Sequence, residues 1–322
     1  MEYRIRMKKT AARLIAYIAF VILTAAFFVQ AEAASSQAKQ KTFPSAEEAV
    51  KALVTAIKIN DEKELQAIFG PSGEVLFSSG DPVADRQGRE RFLTQYEVKN
   101  SFLSRKDRVI LLLGNDEWPF PIPVVKHGKK WFFDTVKGKE EILNRRIGEN
   151  ELNTIDVCLA YVDAQREYAM MDVDGDGISE YAEKLMSDPG RKNGLYWETK
   201  EGEAPSPIGA LLAEARKEGY GGKTAKDTAV PFHGYYYRAL KAQGKNAAGG
   251  AYEYMVKGKM IGGFALVAYP AKYGNSGIMT FIVNHDGVVF QKDLGINTTQ
   301  YAENLQEFDP DRTWSRVVPA NK

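Results

Sequence analysis

The sequence predicts an α+β protein, with helices and antiparallel strands segregated along the chain. Three observations lead there. Apolar residues recur at helical spacing in the stretch before residue 100, then change to strand-like runs between 109 and 135. A second helical stretch, 138–171, is the longest in the chain. From residue 232 onward, aromatic and β-branched residues alternate in short runs separated by glycine. Runs of helix followed by runs of strand, without βαβ alternation, are the α+β pattern.

The first 33 residues read as an export signal. Arg4, Arg6, Lys8, Lys9 and Arg13 form a basic start, and an apolar run from Leu14 to Val29 follows. Ala31-Glu32-Ala33 then offers small residues where a signal peptidase cuts, so cleavage is expected after Ala33. The apolar run is short for a membrane span of about 20 residues. This implies a periplasmic or secreted protein with no membrane span after signal cleavage. Five of the 43 basic and two of the 42 acidic side chains lie in this segment, so the remainder is close to neutral. That balance argues against nucleic acid as a partner. Cys158 is the only cysteine, so no internal disulfide can form.

Residues 34–43 are small and polar, which predicts a disordered lead-in. The N-terminal domain is expected over 44–148. In "PSAEEAVKALVTAIKIN", Ser45 can cap a helix, and Ala49, Leu53, Ala56 and Ile57 share a face. "DEKELQAIFG" is a second helix, started by Asp61 and stopped by Gly70. "FSSGDPVAD" is turn chemistry. "RQGRERFLTQYEVKNSFL" returns to helical spacing through Phe92, Tyr96 and Phe102. Val109 to Leu113 is a buried strand, and Pro119, Pro121 and Pro123 permit only an edge or extended segment. "VVKHGKKWFFDT" is a hairpin turning at His127-Gly128. A cone-shaped sheet wrapped by N-terminal helices, as in nuclear-transport-factor-2-like (NTF2-like) domains, is one arrangement that fits.

The C-terminal domain is expected over 149–322. In its long helix, Ile155, Cys158, Leu159, Val162 and Ala169 follow the spacing of one buried face. "SEYAEKLM" reads as a short helix, and "SPIGALLAEARKEG" as another with Pro207 near its start and Gly219 at its end. "FHGYYYRALKAQ", "GGFALVAYP", "GIMTFIVN" and "GVVFQKDL" are strands, with Asn284-His285-Asp286-Gly287 as a tight connection. A long helix followed by an antiparallel meander resembles, in element order, the globular head of type IV pilins.

The sharpest chemical signal is "DVDGDGISEYAE". Counting Asp172 as the first loop position, Asp174 and Asp176 are third and fifth and Gly177 is sixth. Ile178 would offer its carbonyl from the seventh, Glu180 stands ninth, and Glu183 is twelfth, the bidentate position of a calcium loop. The other reading is a solvated Asp/Gly turn. Three carboxylates within five residues repel unless screened or chelated. An extracellular-class site of about 0.1–1 mM affinity fills in calcium-rich surroundings. Structural Ca2+ is therefore the cofactor to test.

Other motifs carry less. Gly274-Asn275-Ser276-Gly277 lacks the histidine context of a serine protease and reads as a loop. "GYGGKT", 219–224, has Lys217 where a phosphate-binding loop needs glycine. His127, His233 and His285 show no metal spacing, and His233, among aromatics, is the one suited to line a pocket. Trp118, Trp131 and Trp197 are expected in cores. Arg145 and Arg146 are expected to pair with Glu141 or Glu149 along their helix.

Several long strings, among them "SSGDPVADRQGRERF", "WPFPIPVV", "FDTVKGKEEILNRRIGENEL" and "KMIGGFALVAYPAKYGNSGIMTFIVNHDGVV", resemble the exported bacterial proteins grouped as domain-of-unknown-function family 2950. The resemblance spans the chain after the signal. It implies a periplasmic setting and no assigned activity. Two functional readings remain. One is a non-enzymatic binding or envelope-assembly protein with a cell-envelope partner. The other is a small-ligand binder or enzyme with a pocket in the N-terminal domain, rimmed by Asp81, Asp85, Arg89 and Arg91.

Overall fold

The computed structural model describes residues 40–200, 202–220 and 230–318. The expected export signal and the rest of the segment before residue 40 lie outside these residues. The α+β expectation holds. The N-terminal lobe opens with α1 (Ala46–Lys58), α2 (Glu62–Phe69), α3 (Glu74–Phe77) and α4 (Pro82–Val98). Ser45 caps α1 by accepting the Glu48 N–H, and Asp61 caps α2 by accepting the Glu64 N–H. Gly70, at φ 76°, closes α2 in a conformation that favours glycine.

Five antiparallel strands follow: β1 (Asn100–Ser104), β2 (Arg108–Leu113), β3 (Trp118–Pro119), β4 (Val124–His127) and β5 (Lys130–Phe133). They lie in the order β1-β2-β4-β5, with β3 on β2. Phe102, expected on a helix, stands instead on β1 opposite Leu111. Residues 40–43, expected to be disordered, are pinned. The Gln40 side chain donates to the carbonyls of Ile68 and Phe133, and Phe43 pairs with Trp131.

The 35-residue helix α5 (Thr135–Ala169) runs through the expected domain boundary at 148/149 and serves both lobes. Ile142, near its start, packs on the N-terminal core, whereas Cys158, Tyr161, Val162 and Tyr168 belong to the second core. A Cβ on Gly138 would lie 2.4 Å from Ile122 Cγ1, so glycine is what lets α5 approach the first sheet. Leu159, expected to be buried, is 39% exposed; the buried stripe passes through Cys158, Tyr161 and Gln165 instead.

Beyond α5 come β6 (Lys184–Met186), β7 (Gly194–Tyr196) and α6 (Gly209–Glu218). The helix expected over "SEYAEKLM" is absent. Gln165, buried on α5, takes both the N–H and the C=O of Ala182 at 2.8 Å, and Tyr181 bridges to Met260. With those backbone groups committed, the segment extends into β6.

The second lobe is built on β8 (Tyr235–Leu240), followed by β9 (Ala242–Gln243), β10 (Tyr252–Glu253), β11 (Met255–Val256) and β12 (Lys259–Met260). Then come β13 (Ala265–Pro270), β14 (Met279–Asn284), β15 (Phe290–Asp293), α7 (Thr298–Asn304), β16 (Glu307–Phe308) and β17 (Ser315–Arg316). The main sheet runs β17-β15-β14-β13-β8. Every residue of β13 is buried, with α5 and α7 both packed against the strand.

Candidate functional site

A cleft of about 730 Å³ lies where the N-terminal lobe, α5 and the second lobe meet. Its inner wall is apolar, with Leu76, Phe77, Phe92, Phe120 and Ile142 all half-buried. Its outer wall is polar. Asp85, Arg89 and Arg91 come from α4, Arg146 and Asn150 from α5, and His233 from the second lobe.

The α4 wall is positioned by Asp81. "SSGDPV" folds as an N-terminus rather than as a free turn, with Asp81 as N-cap and Pro82 at the first helical position. One carboxylate oxygen accepts the N–H groups of Val83 and Ala84, each at 3.1 Å. The other accepts the Tyr220 hydroxyl at 2.8 Å and the Gly234 N–H at 2.9 Å. Asp81 is fully buried, so the expectation that it would rim a pocket is corrected: it clasps the two lobes behind the cleft. Burial and the Asp81 charge push the Tyr220 hydroxyl well above its ordinary value, which keeps it a donor.

Asp85, Arg89 and Arg91 do line the cleft, as expected. Asp85 accepts the Ser79 N–H with both oxygens at 3.0 Å. Burial raises its carboxyl from the ordinary value, against the pull of the Ser79 hydrogen bonds, Arg146 and Arg89. Arg146 donates to Val75 O at 2.8 Å and to Asn275 Oδ1, and Asn275 in turn donates to Ser78 O. Arg145 pairs with Glu141 at 2.6 Å as expected, and also stacks on Trp118 with 5.2 Å to the ring centroid. Trp118 is 43% exposed at the cleft, not in a core. His233 sits in the cleft at φ 49°, against Phe232, with Nε2 3.7 Å from Glu218 Oε2. Tyr220 and Glu218 had no sequence signal beyond lying at the end of a helix. Ser276 closes its own loop, accepting the Lys272 N–H and donating to the Lys272 carbonyl. Of "GYGGKT", only Gly219 and Tyr220 fall within the described residues.

The aspartate loop is a separate feature. Oxygens of Asp172, Asp174 and Asp176 lie within 4.8 Å of one another. The loop is shaped by its own side chains: Asp172 accepts the Gly177 N–H, and Asp176 accepts the Ile178 N–H. Lys259 from β12 places its ammonium on Asp174, at 2.7 Å from Asp176 and at 3.2 Å from Glu180. This contact holds the Asp176 carboxyl below its ordinary value and raises that of Lys259. Glu183 points elsewhere, 3.0 Å from Lys241. Three carboxylates could therefore hold a cation, in competition with Lys259 and without Glu183 in its present position.

The family model described as "Protein of unknown function (DUF2950)" matches residues 40–317. The chain belongs to this family. No curated protein and no solved structure matches it. The match covers both lobes of the DUF2950 chain and so includes every wall of the cleft. Among the described residues, no helix is long and apolar enough to cross a membrane.

Proposed function

We propose that this DUF2950 protein is an exported, non-enzymatic small-ligand-binding protein whose site is the interlobe cleft. The observation that carries this is the cleft itself: about 730 Å³, with half-buried aromatic side chains on one wall and converging charged groups on the other. Such a combination of apolar surface and a few placed polar groups is what small-molecule sites share. The basic and apolar N-terminal segment supports export. Calcium in the aspartate loop would be a structural accessory in this reading, since none of its residues lines the cleft.

Gly88 gives the test. It lines the cleft on α4, and an added Cβ meets no atom within 4 Å. Gly88→Phe is expected to fold and to fill the cleft. Small molecules that raise the melting temperature of the wild-type protein in a thermal-shift screen should have no effect on this variant. Hits that act equally on both would remove the cleft as the site.

A further inference from the structure

Two turns meet at one end of the first sheet, the end opposite β3. Ser104 pairs with Val109 where β1 turns into β2, and His127 pairs with Lys130 where β4 turns into β5. β1 and β4 flank β2, and antiparallel pairing brings both turns to the same edge. The Arg105 N–H donates to Arg108 O at 2.8 Å and closes the first turn. The Lys126 N–H donates to Asp107 O at 2.9 Å and ties the second turn to the first. Four strand ends at a spacing of about 4.8 Å make this a platform roughly 14 Å wide.

The platform is strongly cationic. Arg105, Lys106, Arg108, Lys126, Lys129 and Lys130 are all exposed on it. Asp107 is the one acidic residue in the two turns, 3.9 Å from Arg108. Among the described residues, no other carboxylate lies within ion-pair distance of these six. Glu47 and Glu48 stand on the first turn of α1, just after the Phe43–Trp131 bridge, and are exposed. Even with both counted, the cations are twice the acids. Outside the two turns the chain after Ala33 has more acidic than basic side chains, so an anionic surface attracts this edge and repels the remainder.

The form of the platform narrows its partner. None of the six cations lines the interlobe cleft, so they do not enclose a small anion there. Trp131, the aromatic ring nearest the turns in sequence, is half-buried and has the Lys126 ammonium 5.6 Å from its centroid, which leaves little face for a nucleic-acid base. Residues 104–108 and 126–130 include no large apolar side chain to insert into hydrocarbon. Several unpaired cations held on one edge suit an array of anionic head groups, where each adds a modest attraction.

We propose that this edge docks the protein on an anionic phospholipid bilayer, by electrostatic attraction and without insertion. The proposal does not depend on the cleft. It is tested by sedimentation with vesicles, using the chain from Ala34, which keeps both cores whole. At about 0.1 M salt, mixed phosphatidylglycerol–phosphatidylcholine vesicles should bind it about tenfold or more better than phosphatidylcholine alone. Lys106→Gln/Lys129→Gln should weaken that binding about tenfold or more, whereas Lys106→Arg/Lys129→Arg should match the wild type. Lys245→Gln/Lys257→Gln, the same change of net charge in the second lobe, should leave binding unchanged. Raising the salt to about 0.5 M should release the wild type, a readout that needs no variant. Equal binding to the two kinds of vesicle, retention at high salt, or equal losses in the two glutamine pairs would overturn the proposal. Binding of soluble polyphosphate without binding of the anionic vesicles would assign the edge to a soluble polyanion and overturn the bilayer.

Discussion

At the aspartate loop, three carboxylates crowd into five residues, and Lys259 supplies the charge that makes this tolerable. Its ammonium reaches Asp174, Asp176 and Glu180 together, a contact made across 85 residues of sequence. A divalent cation and this ammonium want the same oxygens, so the two are exclusive. Removing the lysine as Lys259→Met should lower the melting temperature in low salt, because like charges are left facing one another. It should also raise the response to calcium: millimolar Ca2+ is expected to increase the melting temperature of the variant more than that of the wild type. Equal calcium shifts in the two proteins would show that Lys259 does not compete for the loop. The loop's Asp/Gly spacing is legible in the sequence, but the lysine that answers it is not. It lies on β12, and nothing local links position 259 to position 174.

Among the elements, α4 is unusual in giving a long helix no fully buried residue, and Gly88 sits in its middle. Glycine inside a helix is costly because the unfolded chain gains freedom and no side chain packs. Gly88→Ala should therefore stabilise the protein by about 0.5–1 kcal/mol, measured by urea denaturation. The empty space around the Cβ means no clash offsets that gain. A destabilised Gly88→Ala would show that α4 needs glycine for closer packing than the structure displays. The same helix marks where sequence reading succeeds and fails. Its period is legible from Phe92 and Tyr96, whereas its true start is not. Ser79, Gly80, Asp81 and Pro82 are turn formers by composition; Asp81 caps the helix locally through Val83 and Ala84, while its buried partners Tyr220 and Gly234 lie far off in sequence. The caps of α1 and α2, the β4–β5 hairpin and the strands of the second sheet are all set by local chemistry and were readable. The segment 179–186 was not, since Gln165 and Met260 override its helical spacing from a distance. On α5, Arg145 and Glu141 satisfy a local pairing rule, which hides that Arg146 reaches the second lobe. The face a 35-residue helix turns to each lobe is a tertiary fact.

In the whole molecule, two separate cores are joined by one helix and a small set of polar crossings. Helix α5 contributes to both cores. Around it, Arg146 reaches Asn275, Asn150 donates to Ser276 O, and the Gln87 side chain donates to Glu218 O. Asp81 is the most deeply buried of these links, and each of its two oxygens accepts two hydrogen bonds. Asp81→Ala would leave the Tyr220 hydroxyl and the Gly234 N–H without their acceptor and α4 without its cap. The expected cost is about 3 kcal/mol, mostly the penalty of stranded buried donors. Because the loss falls on the junction and not within either core, it should also change the form of unfolding. Scanning calorimetry of the wild type is expected to give one cooperative transition, since α5 and the crossings couple the cores. The Asp81→Ala variant should give a separate, lower transition for the lobe that carries α4. The cleft walls come from both sides of that junction, so a ligand of the cleft should raise the lower transition of the Asp81→Ala variant and bring it towards the upper one. A variant that melts in one step within about 1 °C of the wild type would mean that α5 and the other crossings couple the cores without Asp81.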